Sequence, residues 1–468
     1  MRPSLTTEPI GGLVRSIALP ASVGLFFNTM FNVVDTFFAG RISTQALAAM
    51  SLSFPVFFTI LAISGGLSTG TTALIAQALG RGDVERARAT ALQSVVLGVL
   101  CGAGLTVAGL GVSPPLFRFL GAHGAYLSMC LAYMETIFLG SVFFVLNAML
   151  NAVLNAQGDT VPYRNFLVAS FFLNCALDPW FMYGGLFVPP LGITGVALST
   201  VVIQCGGTVY LGLKVRRLDV FASRQAGNRA GRPGTWSLAQ VLEAAPPRPG
   251  IMMEILGQGI PTSLNFATVG LGVFVITSFV SAFGKEAVAA YGVATRVEQI
   301  MLLPAMGLNV ATVAPVAQNA GARRYDRVRA AVRAALAYGL VFMAAAGAVL
   351  FVAADGLMGV FARDPGVVRI GSGYLRIAAF VLYAYVILYV NVAALQGVRR
   401  PVFGLAVGVM RQVALPLAVF PILTDVAGLG VAGIWWGIFG ITWAAALFTC
   451  VYARTRLAPR VDRCAIGP

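Results

Sequence analysis

Charged residues are scarce in this chain. They make up 10% of its 468 residues, whereas hydrophobic residues make up 58% and the mean hydropathy is +0.84. A soluble domain carries about 25% charged residues, so one very large soluble core is a poor explanation. The chain has room for about a dozen spans of roughly 20–28 residues. The composition therefore indicates a polytopic membrane protein.

Features of enzymes and secreted proteins are also missing. The one histidine, His123, lies in a predicted loop, and the six cysteines show neither a CxxC pair nor metal-ligand spacing. No GxGD element or nucleophile motif is present. The first residues, MRPSLTTEPIGG, lack the charged start, short apolar core and cleavage site of a signal peptide. We therefore expect neither enzymatic activity nor a cofactor, and the first apolar run is predicted to be the first span.

The net charge of +15 raises the question of a nucleic-acid partner. The basic residues lie in loops between apolar runs, which is the positive-inside pattern of membrane proteins, so no nucleic acid is expected. If both termini lie inside, 25 of the 32 Lys and Arg residues fall on the inner side. The outer seven are Arg41, Arg118, Lys285, Arg296, Arg363, Arg369 and Arg376. This asymmetry predicts a multi-pass cell-membrane protein with both termini in the cytoplasm.

Twelve apolar segments account for most of the chain. They cover residues 13–39, 46–77, 90–111, 126–153, 162–184, 191–213, 254–282, 288–318, 328–354, 371–396, 402–423 and 428–453. The one long polar interruption is rich in Arg, Ala, Gly and Pro and is predicted to be a cytoplasmic linker. This division gives an N-lobe at 1–214, the linker at 215–250 and a C-lobe at 251–468.

The two lobes are sequence repeats. At an offset of 241 residues, Pro20 aligns with Pro261. At the same offset, ALAAM at 46–50 aligns with AVAAY at 287–291. Two six-span repeats that both enter from the cytoplasm are related by an axis along the membrane normal. The predicted fold class is therefore all-α: a polytopic membrane protein with 12 transmembrane helices in two pseudo-symmetric six-helix bundles around a central cavity.

Three polar residues inside the apolar segments are candidates for function. Asp35 lies in the first segment, and Asn174 and Asp178 lie in the fifth. An acid inside a membrane span costs about 2.5–3.5 kcal/mol on insertion scales and usually marks an ion pathway. Asp35 aligns with Ile276 at the offset of 241 residues, and Asn174 and Asp178 align with Val413 and Leu417 at an offset of 239 residues, so all three align with apolar residues. Because the second lobe does without them, we predict an ion-coupling site in the N-lobe.

The chemistry of these three residues suits a proton or a hard cation. Asn174 and Asp178 are four residues apart and share a helix face. With Asp35 they offer the oxygen ligands that Na⁺ prefers, and the carboxylates can also exchange H⁺. The sequence does not decide between the two ions. The alternative is a buried structural hydrogen-bond pair.

Other residues near these acids have two interpretations each. Pro20 precedes Asp35 in the same span and is either a conformational hinge or a fixed kink. Tyr133 either completes the polar cluster or anchors the helix at the membrane interface. Thr200 and Ser199 either supply further oxygens or bond to their own helix backbone.

Three charged residues are possible secondary polar sites. Glu135 follows Tyr133 by two residues and faces away from it on an ideal helix. Arg296 and Glu298 are also two apart, so they do not face each other on one helix. We interpret this pair as an inter-helix contact near the outer end or as a gate contact.

Several motifs occur in order along the chain. They are LP…NVVDTFFAGR…ALAA, AQALGRGDVERAR, NCALDP, ATRVEQ…PAMG and AQNAGARRYDRVR. Together they resemble the multidrug and toxic compound extrusion (MATE) transporters, on the prokaryotic branch whose coupling site lies in the N-lobe. The resemblance covers essentially the whole chain.

This resemblance implies a secondary active multidrug efflux transporter of the prokaryotic plasma membrane. It would export lipophilic, often cationic compounds by alternating access in exchange for H⁺ or Na⁺. Apart from the resemblance, we expect the protein to function as a monomer in the bilayer. The family's polar cluster and kink proline correspond to Pro20, Asp35, Tyr133, Asn174, Asp178 and Thr200. Some members carry an acid in the seventh span, which is absent from GIPTSLNFATVGLGVF here. That departure weakens any coupling site in the C-lobe.

Two other functions are compatible with acids in membrane spans. A flippase for a lipid-linked substrate would line its cavity with several basic residues, and the spans hold almost no Lys or Arg apart from Arg296 and residues at helix ends. A membrane-embedded hydrolase would use Asp35 and Asp178 as a carboxylate pair. The missing enzyme motifs disfavour that alternative.

Overall fold

The apolar segments form long helices, because in hydrocarbon each backbone N–H and C=O must be satisfied within the chain. The structure is a computed structural model and describes residues 5–185, 187–218 and 246–457. Within these ranges it is helical apart from turns and one isolated β-bridge between Gly185 and Val188. Residues 219–245 of the predicted linker lie outside the described ranges. The prediction of an all-α membrane protein is confirmed.

The first half of the chain contains seven described helices. They are α1 (Ile10–Ile42), α2 (Thr44–Gly80), α3 (Val84–Phe119), α4 (Gly124–Leu139), α5 (Ser141–Asn155), α6 (Val161–Tyr183) and α7 (Ile193–Arg216).

The second half contains seven more in the described ranges. They are α8 (Pro249–Ser281), α9 (Lys285–Gly321), α10 (Tyr325–Val352), α11 (Ala354–Phe361), α12 (Pro365–Gly397), α13 (Pro401–Val426) and α14 (Val431–Arg456). Helix α13 includes two π-helical stretches, Met410–Ala414 and Ile422–Val426.

The described helices account for all twelve predicted spans. Eleven of them are long and apolar enough to cross a membrane, and α4 and α5 together form a twelfth span that is bent by 44°. The bend is held against α3. Thr106 donates a hydrogen bond to the carbonyl of Phe138 at 2.7 Å, and Ser141 donates to the carbonyl of Gly102 at 2.8 Å. These contacts fix the orientation of α4, which carries Tyr133.

The chain divides into two compact units. We call residues 20–79 and 83–267 the N-unit, and residues 1–19, 80–82 and 268–468 the C-unit. The start of α1 therefore belongs to the C-unit, where Leu13, Val14 and Ile17 join the hydrophobic core. The start of α8 belongs to the N-unit, where Ile251 and Ile255 join a core cluster. The predicted lobes at 1–214 and 251–468 remain a prediction, and the compact units differ from them at these two stretches.

Candidate functional site

Helices α1 and α6 bring Asp35, Asn174 and Asp178 together in the N-unit. The side-chain amide of Asn174 donates to Asp35 Oδ1 at 2.8 Å and to Asp178 Oδ1 at 2.9 Å. Asn174 and Asp178 lie one helical turn apart, so a single amide group reaches both carboxylates. Asp35 is 3% exposed, and the other two are fully buried. We call these three residues the N-unit cluster.

Helix α7 supplies a hydroxyl group to the N-unit cluster. Ser199 donates a hydrogen bond to Asp178 Oδ1. The neighbouring Thr200 donates to the carbonyl of Val196 at 3.2 Å and also interacts with the carboxyl group of Asp35. The sequence-based choice of Thr200 as a site residue therefore left out Ser199, whose hydroxyl donates a hydrogen bond directly to Asp178.

Tyr133 lies beside the N-unit cluster. It is 4% exposed on α4 and is close enough to interact electrostatically with Asp35 and Asp178. Its hydroxyl forms no hydrogen bond with a described residue. Tyr133 is thus a neighbour of the acids and not a direct partner.

The N-unit cluster has more acceptors than donors. Asn174 Oδ1 and Asp178 Oδ2 are buried and have no hydrogen-bond partner among the described residues. A buried acceptor without a partner costs about 1–3 kcal/mol. The described Lys and Arg side chains form no ion pair with either acid. A proton or a hard cation would supply the missing positive partner.

The composition of the cluster limits which metal ion it suits. The described residues contain no group of three or more His, Cys, Asp or Glu side chains that could hold a metal ion. With two carboxylates, an amide oxygen and hydroxyl oxygens, the donor set fits a hard monovalent cation or H⁺, and it lacks the nitrogen and sulfur ligands of transition metals.

Pro20 is buried inside α1, 15 residues before Asp35. The assignment of α1 to the two compact units changes between Leu19 and Pro20. A proline at this point removes one helical hydrogen bond, which favours a bend there. The role of Pro20 as a hinge stays a prediction.

Two of the secondary polar candidates remain outside any cluster. Glu135 on α4 is half-buried and forms no hydrogen bond or ion pair with a described residue. Arg296 on α9 is exposed and also forms none with the described part of the chain.

Glu298 belongs to a second buried cluster, in the C-unit. It is 5% exposed and accepts a hydrogen bond from the hydroxyl of Tyr374 at 2.5 Å. The Tyr374 ring packs edge-on against Trp435 and Tyr291. The predicted inter-helix contact is therefore made by Glu298 without Arg296.

Arg411 completes this second cluster and was missed in the sequence. It was counted with the basic residues of the inner side, although it falls within the predicted segment at 402–423. Helix α13 begins at Pro401, so Arg411 lies about 15 Å into the helix at 1.5 Å per residue. It is 9% exposed, its guanidinium lies 5.3 Å from the ring centre of Tyr385, and it interacts electrostatically with Glu298. The expectation that the spans hold almost no Arg is wrong here. We call Glu298, Tyr374 and Arg411 the C-unit cluster.

Comparison with known proteins adds evidence from sequence. The MatE family model matches residues 20–180 and 261–420. The chain is 28% identical over 422 residues to the FAD transporter of Shewanella oneidensis, covering 89% of this chain and 88% of that protein. It is 26% identical over 423 residues to the probable multidrug resistance protein NorM of Thermotoga maritima, covering 90% and 87%.

A solved structure supports the fold. The chain matches an outward-facing multidrug resistance MATE family transporter of the MOP superfamily with a TM-score of 0.87 and 24% identity. The match covers 97% of each chain. The family-model matches start at Pro20 and Pro261, the two prolines that align between the sequence repeats.

Proposed function

This chain belongs to the MatE family, and we propose that it is a secondary active multidrug efflux transporter coupled to H⁺ or Na⁺ entry through its N-unit cluster. The observation that carries the proposal is the pair of buried acids, Asp35 and Asp178, which are joined by one amide and form no ion pair with a described Lys or Arg. The names of relatives such as NorM support multidrug substrates. A transporter family also argues against an enzymatic function.

An ion that binds the cluster would be its positive partner, since no described Lys or Arg forms an ion pair with its acids. An ion shifts an equilibrium between two conformations only if it binds one of them better. In the proposed cycle, H⁺ or Na⁺ binds Asp35 and Asp178 in the outward-open state, α1 repacks near Pro20, and substrate is displaced outward. The inward-open state then releases the ion and takes up new substrate. Each charge that crosses about 100 mV supplies about 2.3 kcal/mol.

We propose the simplest cellular arrangement. The protein is a monomer in the prokaryotic plasma membrane. Both of its termini lie in the cytoplasm, because most of its basic residues then lie on the inner side. Its partners are the bilayer and small lipophilic, often cationic substrates. The choice between H⁺ and Na⁺ is left open, since the same oxygens serve both ions.

A second candidate substrate is an anionic aromatic compound such as a flavin nucleotide. Two observations favour it: one relative is an FAD transporter, and Arg411 places a cation beside Tyr385 within a span. A guanidinium can pair with a phosphate and stack on an aromatic ring. This candidate changes the substrate and leaves the proposed coupling site unchanged.

Transport in proteoliposomes tests the coupling proposal. A Na⁺ gradient or a pH gradient is imposed alone, and efflux of a cationic dye is followed for the wild type, Asp35→Asn, Asp178→Asn and Glu135→Gln. We expect loss of gradient-driven transport in both Asp variants. Glu135→Gln is the matched control, because it removes an acid from a membrane helix of the N-unit that is not one of the three residues of the N-unit cluster. Full transport in both Asp variants would contradict the coupling role.

A further inference from the structure

The N-unit contains a large cavity that is separate from the N-unit cluster. It measures about 700 Å³ and lies between α3, α5 and α7. Both α3 and α7 pack against α5. Its walls are mainly aliphatic, and they include Leu92 of α3, Leu150 of α5 and Leu213 of α7. A cavity of this size falls within the range of roughly 300–1,000 Å³ that is usual for small-molecule sites.

The aliphatic walls continue to the protein surface. Leu213 is 48% exposed and Val209, one turn earlier on α7, is 60% exposed. In a chain that spans the bilayer, such a surface faces acyl chains. The cavity is therefore suited to a molecule with an apolar tail, and a free inorganic anion would leave most of these walls without contacts.

One end of the cavity is basic. Four arginines line it, namely Arg86, Arg88, Arg216 and Arg248. Asp83 and Glu85 also line it. The Asp83 carboxylate caps the N-terminus of α3 by accepting a hydrogen bond from the backbone N–H of Arg86 at 2.8 Å. Arg86 pairs with Glu254 at 2.5 Å. Neither Arg88 nor Arg248 uses its side chain in a hydrogen bond or ion pair with a described residue.

A buried glutamine fixes the position of Arg248 at this end. Gln93 on α3 is 1% exposed. Its side chain accepts from the backbone N–H of Arg248 at 2.9 Å and donates to the carbonyl of Pro246 at 3.1 Å. Arg248 is thereby held next to α3, which also carries Arg88. The guanidinium groups of Arg88 and Arg248 thus both line the cavity and form no hydrogen bond or ion pair with a described residue.

From these observations we propose that the cavity binds an anionic phospholipid of the inner leaflet. Under the predicted orientation, its basic end lies at the cytoplasmic surface, where anionic headgroups concentrate and basic pockets between helices bind them. Arg88 and Arg248 contact the phosphate, and an acyl chain lies along Leu92, Leu150 and Leu213. The same charge disfavours a cationic drug, so this site is distinct from the proposed transport of cationic substrates.

Lipid titration followed by native mass spectrometry tests the proposal on the full-length protein in detergent. The probes are phosphatidylglycerol and phosphatidylcholine with identical acyl chains. We expect Arg88→Gln/Arg248→Gln to weaken phosphatidylglycerol binding about tenfold while changing phosphatidylcholine binding little. The matched control is Arg333→Gln/Arg454→Gln, which removes two exposed inner arginines outside the cavity. Equal weakening by the control pair would overturn the site and show a general surface-charge effect.

A second pair of variants tests the cavity independently of charge. Gly212 lines the cavity, and an added Cβ there meets no atom within 4 Å. Gly212→Leu therefore fills the cavity without a backbone clash and is expected to weaken phosphatidylglycerol binding about tenfold. Gly206→Leu is the control on the same helix, because Gly206 has the same free space and does not line the cavity.

Three further outcomes would overturn the proposal. Unchanged phosphatidylglycerol binding in Gly212→Leu would place the lipid elsewhere on the surface. Displacement of the lipid by millimolar inorganic phosphate would indicate a phosphate site. Failure of the wild type to retain either lipid would show that no lipid occupies the cavity. The transport assay described above needs none of these lipid results, so the two proposals can fail separately.

Discussion

The N-unit cluster and the C-unit cluster both bury carboxylates, but they differ in how the negative charge is balanced. In the N-unit, Asp35 and Asp178 face one amide group and no described basic residue pairs with them. In the C-unit, Glu298 accepts a hydrogen bond from Tyr374 and interacts with Arg411. Among the described residues, one cluster therefore has no basic partner for its acids, while the other has Arg411.

The two clusters therefore differ in how a buried carboxylate is compensated. A buried charge is tolerated when it is paired, and an unpaired buried charge is costly. The C-unit meets that requirement with Arg411, so Glu298 has less need of an external ion. The acids of the N-unit form no ion pair with a described Lys or Arg, and under the proposed function an ion that binds there changes the relative stability of two conformations.

The largest expected effect comes from removing the amide that joins the two acids. Asn174→Leu leaves Asp35 and Asp178 buried without their common donor, so we expect gradient-driven efflux to fall at least about tenfold and thermal stability to drop. The measurement is dye efflux from proteoliposomes together with a melting curve in detergent. Wild-type efflux in a well-folded Asn174→Leu protein would show that the N-unit cluster is structural.

An intermediate effect is expected when the C-unit loses its cation. Arg411→Gln leaves Glu298 without its nearby positive charge and removes the guanidinium over Tyr385. If Arg411 contacts anionic substrates, efflux of a flavin nucleotide should fall about tenfold. Efflux of a cationic dye should change less than about twofold. Equal loss for both substrates would indicate a packing role for Arg411 and would remove the support for an anionic substrate.

The smallest effect is expected from single hydroxyl groups. Ser199→Ala removes one donor to Asp178, which keeps its hydrogen bond to Asn174, so the apparent affinity for the coupling ion should change only a few-fold. Tyr374→Phe is the matched change in the C-unit and should leave ion affinity unaltered while lowering thermal stability. The measurement is the ion-concentration dependence of efflux for each variant. A larger change of ion affinity in Tyr374→Phe than in Ser199→Ala would reverse the comparison between the two clusters.

Predictions about single segments were mostly correct. All twelve spans could be placed from hydrophobicity, because a helix that crosses a bilayer needs about 20 apolar residues and this requirement is local. The fourth span was predicted at 126–153 without its bend, since the bend depends on Thr106 of another helix. Arg411 was counted with the inner basic residues, although it falls within the predicted segment at 402–423.

Predictions about contacts between segments were less complete. The common helix face of Asn174 and Asp178 follows from their spacing, and the structure shows their hydrogen bond. The choice of Thr200 over Ser199 could not be made from spacing, because adjacent residues on a helix differ in direction by about 100° and the orientation of α7 comes from packing. The hydrogen bond between Tyr374 and Glu298 could not be predicted either, because it also depends on how two helices pack.

The sequence by itself determined the class of protein, the number of spans, the repeat and the three polar residues that only one repeat carries. These properties depend on composition and on spacing along one chain. Only the tertiary structure decided that Asp35 meets Asn174 across 139 residues and that Arg411 lies near Tyr385 and Glu298. It also decided that α1 before Pro20 and α8 before Thr268 belong to a different compact unit from the rest of each helix. The physical reason is that helical periodicity identifies which face of a helix is polar, while side-chain packing between helices selects the neighbour that the face meets.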